Sequence, residues 1–431
     1  MSAFDRSGRF QVELPEILTD IASPRVPDYV DDLLAQTAAT RQRPRWTFLE
    51  RWLPMGVIAR RSLFFPTVPW RTLVTVAVLI ALLAVALFAA GSHTRVPPPF
   101  GPARNGALVF GGGDIYLRDG LTGSTKLVVG GPTDDFAAGF TRDGTRLTFL
   151  RRTQGLAGSF NELLQMMAAK PDGSGAIAIS EPLVAPDWSD LAPDDSFVVV
   201  ATGDPSVGQV LEIVDLRTTG PMRQIDVGDP QMKFLVPNFL GPNGTEIVFR
   251  GNTKTSVGRR SGLFAVHPDG SGLRTLTPTD GFDGDYLFPQ PSPDGHFIAY
   301  TTWDGEAKLN RMHILDLRAG TDRVVSDPAR SQGFASFSPD SQRILFLTYG
   351  TDRTQVTVAP VDGSRPIAMG PNYPNVENES VTGVFSPDGK SVLVNDSGSK
   401  ETRLVDAATG GNGELLPWSA GNVSGWQRLA P

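Results

Sequence analysis

The sequence predicts an all-β fold: a seven-bladed β-propeller closed by its own C-terminal strand, preceded by one transmembrane helix and a short α-helical tail. Three observations predict it. A four-residue turn phrase recurs six times after residue 99 at a nearly constant spacing. Each copy is flanked by hydrophobic runs of strand length. One uncharged run of 20 residues, Thr72 to Gly91, stands ahead of the repeats.

Residues 1–70 form the tail. "LPEILTDIA" (Leu14 to Ala22) spaces Leu14, Ile17, Leu18 and Ile21 as one helical face. "PDYVDDLLAQTAATRQRPRW" reads as a second helix, with Asp28 at its start, Arg41 and Arg43 near its end, and Pro44 stopping it. Trp46, Phe48, Leu49, Trp52 and Leu53 alternate with Arg51, Arg60 and Arg61 in a segment suited to a cytoplasmic membrane surface. A solvated linker is the alternative. Two short helices bury little core alone, so they are expected either to be partly disordered or to dock a cytoplasmic protein partner.

Residues 71–91 form the transmembrane helix. Twenty residues at 1.5 Å rise span about 30 Å, the thickness of a hydrocarbon core. Trp70 and Arg71 are its interfacial anchors. Arg51, Arg60, Arg61 and Arg71 precede the span, and only Arg95 and Arg104 follow closely. The expected topology is N-terminus in the cytoplasm, C-terminal domain outside. A cleaved signal peptide would place a shorter apolar run near the N-terminus. Residues 92–104, with "VPPP", read as a Pro-rich linker. The layout of short cytoplasmic helices, one span and an outer domain resembles that of membrane-anchored anti-sigma factors. Their His/Cys zinc motif has no counterpart, because the chain has no Cys.

Residues 105–431 carry the repeat. The phrases "TRDG", "APDD", "GPNG", "SPDG", "SPDS" and "SPDG" end at Gly144, Asp195, Gly244, Gly295, Ser341 and Gly389, with steps of 51, 49, 51, 46 and 48. Such periods with four strands each mean propeller blades. An apolar strand leads into each phrase, and a second ("LTFL", "FVVV", "IVFR", "FIAY", "ILFL", "VLV") follows it. "ALVFGGGDIYLRDGLTGSTKLVV" supplies strands two to four of a blade lacking its first strand. "NVSGWQRLAP" supplies one strand without successors, with Trp426 standing where Phe385 stands one copy earlier. Joined, the two make a seventh blade and close the ring, which removes exposed edges. A weak copy miscounted would make six or eight. The phrase itself reads as a joint: Pro presets the second turn position, Asp tolerates the third and Gly takes the left-handed fourth.

This grammar resembles the TolB-type propeller repeat, whose signature is "PxWSPDGxxIAF". "FPQPSPDGHFIAYTTWDG" is the copy nearest to it, and the resemblance covers about residues 105–431. It implies the propeller fold. The chain departs from that family in lacking its N-terminal α/β domain and in counting seven blades rather than six.

Composition limits the function. Residues 92–431 carry 29 Lys/Arg against 38 Asp/Glu, so the propeller is acidic and no nucleic-acid partner is expected. Without Cys there is no disulfide and no thiolate chemistry. No Gly-x-Ser-x-Gly elbow occurs, and His93, His267, His296 and His313 are not at ligand spacing. No catalytic set is visible and no cofactor is expected. Asp280, Asp283 and Asp285 on a Gly-bearing loop form a candidate Ca2+ site, though without EF-hand spacing.

Binding is the expected activity. The strand 2–3 loops of three blades read as "RRTQGLAGSF", "GNTKTSVGRRSG" and "WDGEAKLN". They carry Arg151, Arg152, Lys254, Arg259, Arg260, Trp303 and Lys308 on one face, and Arg and Trp are enriched at binding hot spots. The expected ligand is a protein, a peptide or an envelope glycan. The rival expectation is an exported lyase-type enzyme with an unrecognised site, and a third is an envelope scaffold.

Overall fold

The computed structural model describes residues 70–91, 97–156, 162–184, 187–203, 209–218, 220–229, 232, 235–255, 258–277, 288–325, 329–375, 380–418 and 423–430. The two tail helices, the juxtamembrane segment, His93 and the Asp280–Asp283–Asp285 loop fall outside these. The chain divides into two units, Met1–His93 and Thr94–Pro431.

In the first unit one helix is described, α1 (Trp70–Gly91), 22 residues long. That length corresponds to about 33 Å. Its side chains are described at Trp70, Arg71 and Val74–Leu83, and all of these are exposed. Thr75 Oγ1 donates to the Arg71 carbonyl at 2.7 Å, so the hydroxyl is satisfied within the helix. No helix among the described residues is long and apolar enough to cross a membrane.

The second unit is an all-β propeller of seven blades. β1 (Arg104–Gly111), β2 (Ile115–Arg118) and β3 (Thr125–Val129) begin blade 1. Blade 2 holds β4 (Asp135–Phe140), β5 (Leu147–Gln154), β6 (Leu163–Ala169), β7 (Ile177–Ala178) and β8 (Leu183–Val184). Blade 3 holds β9 (Asp187–Leu191), β10 (Phe197–Thr202), β11 (Val210–Asp215) and β12 (Arg223–Ile225). Blade 4 holds β13 (Leu235–Leu240), β14 (Glu246–Thr255), β15 (Gly258–Val266) and β16 (Arg274–Thr275). Blade 5 holds β17 (Gln290–Pro291), β18 (Phe297–Asp304), β19 (Leu309–Asp316) and β20 (Thr321–Val324). Blade 6 holds β21 (Ser331–Phe337), β22 (Arg343–Tyr349), β23 (Arg353–Pro360) and β24 (Ile367–Pro374). Blade 7 holds β25 (Val381–Phe385), β26 (Ser391–Asp396), β27 (Glu401–Asp406) and β28 (Glu414–Leu415). Finally β29 (Val423–Leu429) pairs antiparallel with β1, with Trp426 opposite Leu108, and supplies the inner strand of blade 1. The ring closes as the sequence predicts.

The core is divided. Among the described residues, seven hydrophobic clusters each fill one interface between neighbouring blades. The two-residue side-chain period produces this, because each sheet is packed on both faces. In β22, Ile344 and Phe346 face blade 5, while Leu345 and Leu347 face blade 7. At the closing interface Trp426 packs with Leu108 and Leu393, and its indole N–H donates to the Gly106 carbonyl at 3.1 Å.

The repeated phrase is a joint. In the last copy Ser386 Oγ donates to Asp388 Oδ1 at 2.6 Å, and the Lys390 N–H donates to the same oxygen at 3.1 Å. The Ser391 N–H then donates back to Ser386 Oγ at 3.0 Å. The copy at Ser292 repeats all three bonds. The fourth position is left-handed in every copy, with φ from 54° at Asp195 to 72° at Gly295. The two copies lacking Gly use the substitute to tie neighbouring turns. Asp195 accepts the N–H groups of Arg142 and Asp143, both at 2.8 Å, and Ser341 Oγ accepts the N–H of Asp294 at 3.0 Å.

Within the second unit, the end of the Pro-rich segment is not a free spacer. Arg428 in β29 donates to the carbonyls of Pro98 at 2.9 Å and Gly101 at 2.8 Å. The Arg142 guanidinium lies 4.8 Å from the centre of the Phe100 ring, and the Ala103 N–H donates to the Pro387 carbonyl at 2.8 Å. The segment thus lies on the turn face, where Pro99, Phe100 and Gly101 help to wall a small cavity of about 240 Å3 with Phe385 and Trp426.

Candidate functional site

Inner strands run from the loop face toward the turn face. Among those described, four carry a β-bulge of the same form. Between Phe136 and Gly139, Asp187 and Asp190, Leu235 and Asn238, and Gly333 and Ser336, the inner strand advances three residues while its partner advances two. In three of them the extra residue brings a left-handed backbone, at Ala137 (φ 51°), Val236 (52°) and Phe334 (53°). For a β-branched or bulky side chain that conformation is costly, and such strain concentrates at functional sites.

Val236 and Phe334 both line a cavity of about 650 Å3 at the loop-face half of the channel. It reaches outward between blades 6 and 7, past Leu345 and Leu347 on one side and Val381–Gly383 on the other. The bulge leaves the Phe334 ring 57% exposed, and it stacks on Phe288 with centroids 6.3 Å apart and planes at 20°. Among the described residues no charged side chain lines the cavity. Thr354 Oγ1 donates to Asn375 Oδ1 at 2.6 Å, so part of the polar lining is already satisfied. Burial pushes the Tyr349 hydroxyl up to about 12, which keeps it protonated and a donor at neutral pH. Gly383 lets blade 7 come close, because a Cβ there would stand 2.8 Å from Val356 Cγ1.

A second cavity of about 500 Å3 adjoins the first across Tyr349. Arg330, Asp352 and Arg353 line it. Asn375 is the partition: its N–H donates to the Asp352 carbonyl at 2.8 Å and its side chain to the Gly350 carbonyl at 3.3 Å.

The sequence-predicted binding residues sit elsewhere or are otherwise engaged, and most lie on strands rather than loops. Arg151 and Arg152 belong to β5, because the blade 2 hairpin pairs through Gln154 and Leu163. Arg151 makes a two-pronged ion pair with buried Asp135, both contacts at 2.8 Å. Arg152 pairs with Asp134 and, at 2.6 Å, with Glu162, and lies over the Phe136 ring. Lys254 pairs in register with Arg259, and Thr253 with Arg260, so "GNTKTSVGRRSG" is a long hairpin. Trp303 ends β18, 41% exposed, and Lys308 takes the left-handed turn position (φ 54°) just before Leu309, which lines the second cavity.

His267 and His296 sit at turns, bonded to the Thr245 carbonyl and to Asp294. His313 is different. Its Nε2 lies 3.0 Å from Thr302 Oγ1 and its Nδ1 2.8 Å from Asp322 Oδ2, and it stacks on Tyr300. The order of bonds matches a nucleophile–base–acid relay. The hydroxyl, however, belongs to a residue 5% exposed within the sheet, and none of the cavities described above includes it. The network satisfies polar groups across three strands of blade 5. Among the described residues no group of three or more acidic or His side chains could hold a metal ion.

No family model matches the chain. Solved structures match its fold. The periplasmic gluconolactonase of Pseudomonas aeruginosa is 19% identical over 75% of this chain and 99% of that one, with a TM-score of 0.50. An oligogalacturonate lyase solved with manganese is 14% identical over 72% and 85%, with a TM-score of 0.51. TolB from Acinetobacter baumannii is 13% identical over 74% and 82%, with a TM-score of 0.47. At these identities the likeness extends to the fold alone.

Proposed function

We propose that this chain is a single-pass membrane protein whose propeller, outside the cytoplasm, is a binding module that takes its ligand at the loop-face end of the channel. The observation that carries the reading is the uncharged cavity of about 650 Å3 with the stacked Phe288 and Phe334 at its wall. Ligand pockets are concave, mainly apolar and provided with a few fixed polar groups. Phe334 and Val236, both in a costly left-handed conformation, stand at its wall, and such strain concentrates at functional sites.

The anchor rests on α1. Val74, Val76, Val78, Leu79, Ile80, Leu82 and Leu83 point around the whole helix and are exposed. A helix apolar on every side suits lipid rather than water. The Arg bias supports a cytoplasmic tail, and the two helices that its sequence predicts would there receive a protein partner and relay the bound state.

The test is in-cell photo-crosslinking from position 334 combined with protease treatment of intact cells. The reading expects a crosslinked species dependent on the probe at 334 and loss of the propeller with retention of the tail. Absence of any adduct at 334 overturns the ligand site. Protection of the propeller overturns the topology.

A further inference from the structure

We infer that the two adjoining cavities form one bipartite site for an apolar anion: an aryl or alkyl group beside Phe334, and its anionic end at Arg330 and Arg353. This rests on the proposed reading of the loop-face cavity as the ligand site, and it adds the chemical class of the ligand.

The large cavity offers no charge among its described lining residues, so it selects an uncharged, apolar portion. The exposed faces of Phe288 and Phe334 favour a flat or branched group. The second cavity shares Tyr349 with the first, and Asn375 bonds to backbone on its far side. The two cavities meet at Tyr349, so a ligand with one group in each would pass that side chain. Arg330 and Arg353 outnumber Asp352 there. Arg330 is exposed. Arg353 is positioned by a 3.1 Å bond from its Nη1 to the Asn372 carbonyl. Its separation from Asp352 is 3.9 Å, and the Asp352 side chain is 85% exposed, so solvent screens that pair and leaves the guanidinium able to take another anion. Guanidinium groups hold carboxylates through paired N–H bonds. Tyr349, protonated at neutral pH, adds a donor at the boundary.

The experiment uses the full chain in lipid nanodiscs and calorimetric titration with two probe pairs. One pair is 3-phenylpropionate and 3-phenylpropionamide. The other is the peptide Ala-Ala-Ala-Leu-Phe as its free acid and as its amide. The acid of at least one pair is expected to bind tenfold or more tighter than its amide. The double variant Arg330→Gln/Arg353→Gln removes that preference and keeps the amide affinity. Phe334→Gly weakens acid and amide alike, and Gly accepts the left-handed backbone, so the blade keeps its fold. Binding of the peptide acid alone assigns the anion to a chain terminus, and binding of phenylpropionate assigns it to a free small acid. Equal binding of acid and amide overturns the anionic half and leaves the cavity reading standing. If neither form binds in either pair, this inference falls, and crosslinking from position 334 decides the broader reading separately.

Discussion

Ser341 holds a left-handed backbone at φ 60° and accepts the N–H of Asp294, one blade away, on its hydroxyl at 3.0 Å. The side chain thus compensates for the conformation that the absent Gly would have supplied without strain. Ser341→Ala keeps the strain and loses the bond, and a bond of this kind contributes about 1 kcal/mol. Ser341→Gly loses the bond but removes an αL cost of about 1–2 kcal/mol. Urea unfolding should rank the Ala variant below the Gly variant. The reverse order would show that the left-handed backbone at 341 carries no cost, and an Ala variant as stable as the parent would show that the hydroxyl contact carries no stability.

Closure predicts a large effect at one residue. Trp426 is 8% exposed, packs across the interface of blades 7 and 1 and bonds to Gly106. Trp426→Ala should cost about 3–5 kcal/mol. Thermal unfolding of the variant, followed by near-UV circular dichroism, checks it. A change under about 1 kcal/mol would mean that β29 is dispensable to the ring.

Arg151 gives the opposite expectation to its sequence reading as a ligand contact. Its removal leaves Asp135, fully buried, without a counter-ion. Arg151→Ala should destabilise the propeller by about 3 kcal/mol. Crosslinking yield from position 334 should stay unchanged in the folded fraction. Unchanged stability with lost capture would return Arg151 to the binding surface.

Acid sensitivity follows from the turns. Burial raises the carboxyl of Asp388, but bonds from Ser386, the Lys390 N–H and Asn105 outweigh it and hold the group below the usual range. Asp143 behaves likewise: burial opposes bonds from Thr141 and Thr145, and the bonds prevail. A folded value below the unfolded one, about 3.9, stabilises above that pH and is lost as pH falls through the folded value. Stability should therefore drop below about pH 4, and Asp388→Asn should shallow that drop. Asp195 runs the other way, because burial outweighs its bonds from Arg142 and Asp143 and raises it. An acid titration of unfolding free energy for the two proteins decides the matter, and parallel curves would remove Asp388 from the account.

The blades were legible because turn chemistry is local. Pro387, Asp388 and Gly389 declare their turn within four residues, and six copies fix the period. Trp426 was legible by its place relative to Phe385. The partners of Arg151 and Arg152 were not, because Asp134, Asp135 and Glu162 reach them through strand pairing 10 to 18 residues away. Nor was the cavity visible, since it needs strands from four blades and a bulge. One hint was present in "FASF": Phe334 and Phe337 lie three apart, and an unbroken strand would send them to opposite faces. The bulge at Phe334 resolves that spacing.

The linker held by Arg428 has a mechanical consequence. Chain entering at Pro97 is gripped by the last strand of the ring, and Arg104 starts β1 directly opposite Leu429. Under the proposed anchorage, a pull on the chain ahead of Pro97 would load β1 along its own axis against β29, so the hydrogen bonds of that seam would share the force in shear instead of parting in sequence. The blade assembled from both ends of the propeller sequence would then also be the one that bears the load.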